Sequence, residues 1–138
     1  MKVFLDDYRF PMDCIPYMHS RIDLSNPLND RIYHQQWRVV KNYPEFVRCI
    51  KKHKGNITHV SFDHDLADKH YVQGDQESEI DYNSELFQFE LKKTGYHAAM
   101  FLKELYEKEK IELPIIFVHS MNPVGTQNIL DLFGLKPL

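Results

Sequence analysis

Acidic, imidazole and hydroxyl side chains stand directly after three short apolar runs of this 138-residue chain. Carboxylates can bind a divalent cation or orient a histidine, and histidine transfers protons near neutral pH. A hydroxyl group can hydrogen-bond to a phosphate oxygen. One polar pair behind a strand is common, whereas three such groups in one chain predict a shared site. The groups are Asp6-Asp7, Asp63-His64-Asp65 and His119-Ser120.

Asp6, Asp7 and Asp63 are candidate metal ligands. Their hard oxygen atoms suit Mg²⁺ or Mn²⁺, which bind a few carboxylates together with water and phosphate oxygens. Crowded carboxylates repel one another and raise the pKa of at least one of them, unless a cation lies among them. The alternative is an acidic edge in which Asp7 pairs with Arg9. No organic cofactor is implied.

His64 and His119 are candidate catalytic residues because both follow apolar runs that predict strands. Two histidines on either side of a phosphodiester can act as base and acid. Asp63 and Asp65 flank His64, and they would bind the cation or orient the histidines. The alternative is that one or both histidines serve packing or hydrogen bonding only.

Arg9, Ser120 and Asn122 are candidate phosphate-binding residues. A guanidinium group matches a phosphate with two parallel hydrogen bonds. The turn at Asn122 leads into a helix predicted for residues 126–133, and the N–H groups at a helix N-terminus attract anions. The alternatives are a surface salt bridge for Arg9 and an ordinary capping turn, with Thr126 as the cap.

The elements that must position these groups alternate along the chain. Apolar runs predict strands, and helical spacing or capping signals predict helices. Such alternation is typical of a parallel sheet covered on both faces, and its ligands bind beyond the carboxyl ends of the strands. Strands are predicted at 2–5, 37–40, 57–62 and 115–118, and helices begin near Pro44, Thr94 and Thr126.

Length and composition limit the remaining possibilities. The chain fits one domain, residues 1–138, and no apolar run approaches the ~20 residues of a membrane helix. A net charge of −3 disfavours non-specific binding to nucleic acid. The acidic start gives no signal peptide, and Cys14 and Cys49 read as buried or incidental thiols, so we expect a cytoplasmic protein. The polar stretch 68–93 is predicted to be an inserted flap and a candidate lid.

Four segments together resemble the cyclic-phosphate processing receiver-like family, whose members are stand-alone relatives of the receiver domains of bacterial response regulators. The resemblance implies an α/β, flavodoxin-like three-layer sandwich with a mostly parallel sheet. It spans most of the chain through the segments Leu5-Asp6-Asp7-Tyr8-Arg9-Phe10-Pro11, Ser61-Phe62-Asp63-His64-Asp65-Leu66, Thr94-Gly95-Tyr96 and Val118-His119-Ser120-Met121-Asn122-Pro123-Val124-Gly125.

The resemblance also implies roles for particular residues. In receivers, an acidic pair after the first strand and an aspartate after the third strand bind Mg²⁺, and that third-strand aspartate accepts a phosphoryl group. Asp6, Asp7 and Asp63 match these positions. Ser120 matches the hydroxyl residue after the fourth strand. Lys136 is similar to the lysine after the fifth strand, although no fifth strand is evident here, and it joins the candidate phosphate-binding residues.

Two functions remain open from the sequence. The histidines His64 and His119, which a phosphate-accepting receiver does not need, imply a phosphoesterase that opens a cyclic phosphate on a nucleotide or ADP-ribose-type small molecule. The alternative is a non-catalytic signalling or nucleotide-binding module, phosphorylated on Asp63. The expected partner is a small-molecule nucleotide or cyclic phosphate, with no membrane and no nucleic acid.

The chain departs from the family pattern at His97, where relatives often carry an acidic residue, and at Ala67, where they often carry glycine.

Overall fold

The computed structural model describes residues 1–17, 32–66 and 92–135. These ranges contain four short strands: β1 (Lys2–Leu5), β2 (Arg38–Val40), β3 (His59–Phe62) and β4 (Ile115–Val118). They form one sheet in the order β2-β1-β3-β4, and every neighbouring pair is parallel. The α/β class and the parallel sheet agree with the prediction.

Each strand is short and is followed directly by a polar residue. The last three residues of β1, β3 and β4 are buried. Continuous burial is typical of strands in a parallel sheet with both faces covered. The predicted bounds of β1 and β4 are confirmed, and β2 and β3 begin one and two residues later than predicted.

Three α-helices lie in the described ranges, and each begins at a capping residue. They are α1 (Tyr43–His53), α2 (Gly95–Glu109) and α3 (Pro123–Leu132). Thr94 is the N-cap of α2, as predicted. Its backbone N–H donates to His97 Nδ1 at 3.0 Å. His97 therefore fills the place that a Glu or Gln side chain usually takes in a capping box.

The start of α3 differs from the prediction. The helix begins at Pro123, and Asn122 rather than Thr126 is its N-cap. Asn122 Oδ1 accepts a hydrogen bond from Gly125 N at 2.9 Å. A proline in the first helical turn has no N–H to leave unpaired, so the Asn-Pro pair starts the helix three residues early.

The two faces of the sheet are covered differently. All three α-helices pack over one face, here called the helix face, around a continuous apolar core. The opposite face, here called the 3₁₀ face, lies beneath two 3₁₀ helices, Pro11–Tyr17 and Ile32–His34. The result is a three-layer, flavodoxin-like sandwich. The apolar cluster on the 3₁₀ face consists of Phe4, Cys14, Ile32, Tyr33, Trp37 and Phe117.

The strand order determines where a ligand can bind. The chain leaves β1 toward one edge of the sheet to form β2, and it then returns to add β3 on the other side of β1. In such sheets a crevice forms at the carboxyl ends of the two strands where the direction reverses. Here these strands are β1 and β3, which end just before Asp6 and Asp63.

Some predictions lie outside the described residues. These are Lys136, Ala67 and the inserted flap at 68–93 apart from its last two residues. A fifth strand is absent from the ranges that the structure does describe. None of the helices in these ranges has the length and apolar character needed to cross a membrane.

Candidate functional site

Asp6, Asp63 and His119 continue the strand ladder past the ends of β1, β3 and β4. Asp63 N donates to Leu5 O at 2.9 Å, and His119 N donates to Phe62 O at 3.0 Å. The three residues therefore lie side by side at the carboxyl edge of the sheet. Because side chains alternate along a strand, their side chains are directed to the 3₁₀ face.

The Asp6 carboxylate is buried, and four hydrogen bonds reach it. Its Oδ1 accepts from the backbone N–H groups of Tyr8 and Arg9, both at 2.8 Å. Its Oδ2 accepts from Arg9 Nε at 3.0 Å and from His119 Nε2 at 3.1 Å. Burial raises the pKa of Asp6, but the hydrogen bonds from His119 and from the two backbone N–H groups outweigh burial and lower the pKa below its usual value. Asp6 is therefore ionised.

The Arg9 guanidinium lies between two carboxylates. Besides Asp6, it reaches Asp63 Oδ1 through Nη2 at 3.2 Å. Its side chain is 15% exposed. Burial lowers the pKa of Arg9, but the charges of Asp6 and Asp63 outweigh burial and raise it. Arg9 Nη1 is buried and has no hydrogen-bond partner in the part of the chain that the structure describes.

Asp63 is buried beside Asp6. Burial is the main cause that raises the pKa of Asp63 to about 7, and the charge of Asp6 adds to it. Arg9 and the backbone N–H of His64, which donates to Asp63 Oδ1 at 2.9 Å, oppose this rise. From the sequence we expect repulsion between crowded carboxylates to raise the pKa of one of them. In the folded protein this residue is Asp63, and burial contributes more to the rise than repulsion does.

His119 is fully buried, and both of its ring nitrogens are hydrogen-bonded. Nε2 lies 3.1 Å from Asp6 Oδ2, and Nδ1 lies 2.7 Å from Ser61 Oγ. The ring stacks on Phe4 with 4.1 Å between centroids. Burial lowers the pKa of His119, although the hydrogen bond to Asp6 opposes this change. The imidazole is therefore neutral at pH 7.

A neutral His119 fixes the direction of a buried series of hydrogen bonds. Because ionised Asp6 can only accept, His119 Nε2 carries the single ring proton, and Nδ1 accepts from the Ser61 hydroxyl. Ser61 Oγ in turn accepts from the Tyr33 hydroxyl at 2.6 Å. We call Tyr33, Ser61, His119 and Asp6 the buried chain. Ser61 and Tyr33 are not among the predicted site residues. Ser61 was visible as a hydroxyl inside an apolar strand, whereas no signal marked Tyr33.

His64 lies at the same edge of the sheet but packs toward the helix face. Its Nδ1 is 2.8 Å from Asp65 Oδ1, and Asp65 Oδ2 accepts from Asn122 Nδ2 at 3.2 Å. The side chain of His64 is 18% exposed and that of Asp65 is 68% exposed. For the second ring nitrogen, Nε2, the described residues provide no hydrogen-bond partner. We call His64, Asp65 and Asn122 the rim triplet.

Two glycines explain how the segment 63–65 is held in place. Gly95 N donates to His64 O at 2.8 Å, and a Cβ at Gly95 would lie 1.6 Å from Asp63 O. A Cβ at Gly125 would lie 2.3 Å from His64 Cγ. Helix α2 thus approaches the backbone of this segment, and helix α3 approaches the imidazole of His64. Only glycine permits either approach.

Ser120 and Asn122, predicted to bind phosphate, close the turn that leads into α3. Ser120 Oγ is buried and accepts a hydrogen bond from Asn122 N at 3.0 Å. Asn122 caps the helix and also binds Asp65. These contacts match the capping-turn alternative, with a different cap from the one expected. A role for these two residues in phosphate binding stays a prediction.

Cys14 adjoins the buried chain. Its sulfur and one ligand atom each of Asp6 and His119 lie within 4.8 Å of one another. Burial raises the pKa of the Cys14 thiol to about 12, so the thiol stays protonated and is a poor nucleophile at neutral pH. Cys14 and Cys49 are both buried and free, in line with the buried thiols that the sequence predicts.

The predicted site residues that the structure describes meet at one edge of the sheet, but on two sides of it. Asp6, Asp7 and Asp63 each offer a ligand atom, and these atoms lie within 4.8 Å of one another. His119 lies beneath them on the 3₁₀ face, whereas His64 packs against α3 on the helix face. With no exposed surface, His119 does not touch a ligand in this conformation.

Comparison with known families agrees with this architecture. The sequence model of the cyclic-phosphate processing receiver domain matches residues 1–134. This match includes all four segments that carry the resemblance. No curated protein and no solved structure matches the chain. The family match spans almost the whole sequence and the sheet has the expected parallel order, so this chain belongs to the cyclic-phosphate processing receiver domain family.

Proposed function

We propose that the protein is a phosphoesterase that opens a cyclic phosphate of a nucleotide or an ADP-ribose-type small molecule. The observation that supports this most strongly is the rim triplet. His64 gives one ring nitrogen to the Asp65 carboxylate and retains the other at a partly exposed edge. A carboxylate on Nδ1 fixes the tautomer and stabilises the protonated ring, which suits a general base.

His64 is the residue that moves the proton in this proposal. Water adds to phosphorus, one ring P–O bond breaks, and the products are a phosphate monoester and a free hydroxyl group. His64 Nε2 takes a proton from the attacking water and returns a proton to the alkoxide that leaves. Asp65 stabilises the imidazolium between these two steps, and the Asn122 amide holds Asp65 in place.

His119 acts as a positioning residue in this proposal. It donates to Asp6, which binds Arg9 through the backbone and the side chain. Arg9 reaches Asp63, and Asp63 Oδ1 accepts the backbone N–H of His64. Through these contacts the buried chain fixes the backbone at His64 from the 3₁₀ face.

Positive charge for the phosphate comes from two sources. The Arg9 side chain is partly exposed, and the N-terminus of α3 carries a partial positive charge of about +0.5. Ser120 and Asn122 shape the turn at that N-terminus. Lys136 lies outside the described residues, and its contact with phosphate stays a prediction.

The test is hydrolysis of 2′,3′-cyclic nucleotides and of ADP-ribose 1″,2″-cyclic phosphate, with EDTA and with added Mg²⁺ or Mn²⁺. We expect turnover by the wild type and a loss of about 10²–10⁴-fold in His64→Ala, the range for a general base. His34→Ala removes an exposed histidine elsewhere and is the control. A wild type that opens none of these substrates, or a His64→Ala variant with full activity, contradicts the proposal.

A second candidate is the phosphate-accepting module, which the position of Asp63 after β3 favours. Acetyl phosphate with Mg²⁺ would then add a phosphoryl group to Asp63, detectable by intact-protein mass spectrometry and absent from Asp63→Asn. We expect no stable adduct, because Asp63 is buried and its Oδ1 already accepts from Arg9 and from His64 N. A stable adduct together with no hydrolysis would favour this second function.

A further inference from the structure

The carboxylate cluster defines where a divalent cation would have to bind. Asp6, Asp7 and Asp63 each offer one oxygen, and these oxygens lie within 4.8 Å of one another. Mg²⁺ needs oxygen ligands at about 2.0–2.1 Å in near-octahedral geometry. A cation held by all three residues would therefore need an unoccupied position on each carboxylate.

Asp6 has no such position. A carboxylate has about four lone-pair positions, and all of them are used on Asp6. Backbone N–H groups occupy Oδ1, and Arg9 Nε and His119 Nε2 occupy Oδ2. A cation at Asp6 must displace Arg9 or His119, and displacing His119 would leave its Nε2–H buried without an acceptor. The residues do not fit a three-carboxylate cation site while Arg9 is in place.

Arg9 is well suited to remain there. Its guanidinium connects Asp6 and Asp63 through Nε and Nη2, at 3.0 and 3.2 Å. Its own backbone N–H also binds Asp6, so both ends of the residue are fixed to the same carboxylate. A guanidinium is charged at every physiological pH, and its planar donors match carboxylate geometry.

We propose that the Arg9 guanidinium takes the place of the divalent cation of a receiver, and that the native protein neutralises this carboxylate cluster without Mg²⁺ or Mn²⁺. The main role of Arg9 is then to neutralise Asp6 and Asp63. Its predicted role as a phosphate ligand becomes secondary. This inference is independent of the proposed reaction, because cation binding is measured without substrate.

The test is Mn²⁺ binding, followed by electron paramagnetic resonance and by isothermal titration calorimetry. We expect no stoichiometric Mn²⁺ site in the wild type. Arg9→Gln removes the competing charge and the guanidinium contacts to Asp6 and Asp63, so it should tighten Mn²⁺ binding by at least about tenfold. The gained site should disappear in the double variant Arg9→Gln with Asp63→Asn.

Lys54→Gln is the matched control, because it removes a positive charge that pairs with Glu109 away from the site. It should gain no binding. If Arg9→Gln does not fold, Arg9→Lys tests the same point. A lysine keeps the positive charge but cannot contact Asp6 and Asp63 through two separate nitrogens, as the guanidinium does. Arg9→Lys should therefore gain Mn²⁺ binding, but less than Arg9→Gln would. One equivalent of Mn²⁺ bound by the wild type and lost in Asp63→Asn overturns the proposal. Failure of the hydrolysis assay alone leaves the inference standing.

Discussion

The two histidines at the carboxyl edge of the sheet belong to opposite environments. His119 has no exposed surface, uses both ring nitrogens and stacks on Phe4. His64 is partly exposed, uses one ring nitrogen, and packs on Gly125 of α3. Both residues closely follow strands in the sequence, yet one belongs to the buried chain and the other to the rim triplet.

The difference follows from one residue of offset. His119 is the first residue after β4, whereas His64 is the second residue after β3. Because side chains alternate, this shift directs the two imidazoles to opposite faces. On the 3₁₀ face a buried polar group must find all its partners within the protein, so His119 contributes to structure. On the helix face His64 uses Nδ1 for Asp65, and the described residues give its Nε2 no hydrogen-bond partner.

The largest expected effect comes from removing His119. His119→Ala leaves Ser61 without its acceptor, leaves Asp6 without one donor and creates a cavity beside Phe4. We expect a loss of about 3–5 kcal/mol in the free energy of unfolding. His64→Ala, the matched variant at the rim, should lose about 1 kcal/mol. Urea unfolding at pH 7 measures both, and equal losses would contradict the contrast between the two environments.

The next effect depends on pH and concerns Asp63. Its pKa in the folded protein is about 7 against an ordinary value of 3.8, so the folded state binds the proton more tightly than the unfolded chain does. The stability from this proton is complete below pH 3.8 and is lost as the pH rises through 7. A rise of this size in the pKa corresponds to up to about 4 kcal/mol.

The side chain in Asp63→Asn cannot ionise, so this variant does not lose stability through this group as the pH rises. Its amide oxygen can still accept from Arg9 and from His64 N. Its stability relative to the wild type should therefore increase between about pH 4 and about pH 8, and the two proteins should be closest at the acidic end. Unfolding by urea at several pH values in EDTA measures the difference. A constant difference across this range would show that Asp63 is ionised throughout.

Much of this arrangement was predictable from the sequence. The polar residues after Leu5, Phe62 and Val118 indicated a shared edge, because parallel strands of similar length end together. Thr94 marked the start of α2. The prediction could not separate His64 from His119, since the alternation of side chains is uncertain once a strand ends in a turn. The hydrogen bonds that continue the ladder past the strands settle this point.

Other features depend on contacts between distant parts of the chain. Tyr33 comes from the connection between β1 and β2, and only the packed structure shows its hydroxyl beside Ser61. Gly95 and Gly125 stand in segments that carry the family resemblance, but their role depends on how closely α2 and α3 approach the segment 63–65. The saturation of Asp6 by Arg9 and His119 also depends on this three-dimensional arrangement.

A third prediction displaces His64 without touching the buried chain. A Cβ at Gly125 overlaps the imidazole, so Gly125→Ala must move the ring away from Asp65. We expect the hydrolysis rate to fall as in His64→Ala, with a stability loss of about 1–3 kcal/mol from overpacking. Val124→Ala is the control, because this neighbouring side chain on α3 is 70% exposed. The NMR signals of the His119 ring should not change. A shift of those signals would show that the displaced ring also moves the His64 backbone and, through Asp63 and Arg9, the buried chain.

The smallest expected effect tests the direction of the buried chain. With a neutral His119, Tyr33 donates to Ser61 and Ser61 donates to His119. Tyr33→Phe removes one donor and leaves every remaining N–H and O–H group of the buried chain paired, so it should cost about 1 kcal/mol. Ser61→Ala orphans both the Tyr33 hydroxyl and His119 Nδ1, and it should cost about 2 kcal/mol. Tyr8→Phe, at a side chain that is 85% exposed, is the control. If Tyr33→Phe costs as much as Ser61→Ala, it has left the Ser61 hydroxyl without an acceptor, so the hydrogen bonds run in the opposite direction and His119 carries a proton on Nδ1.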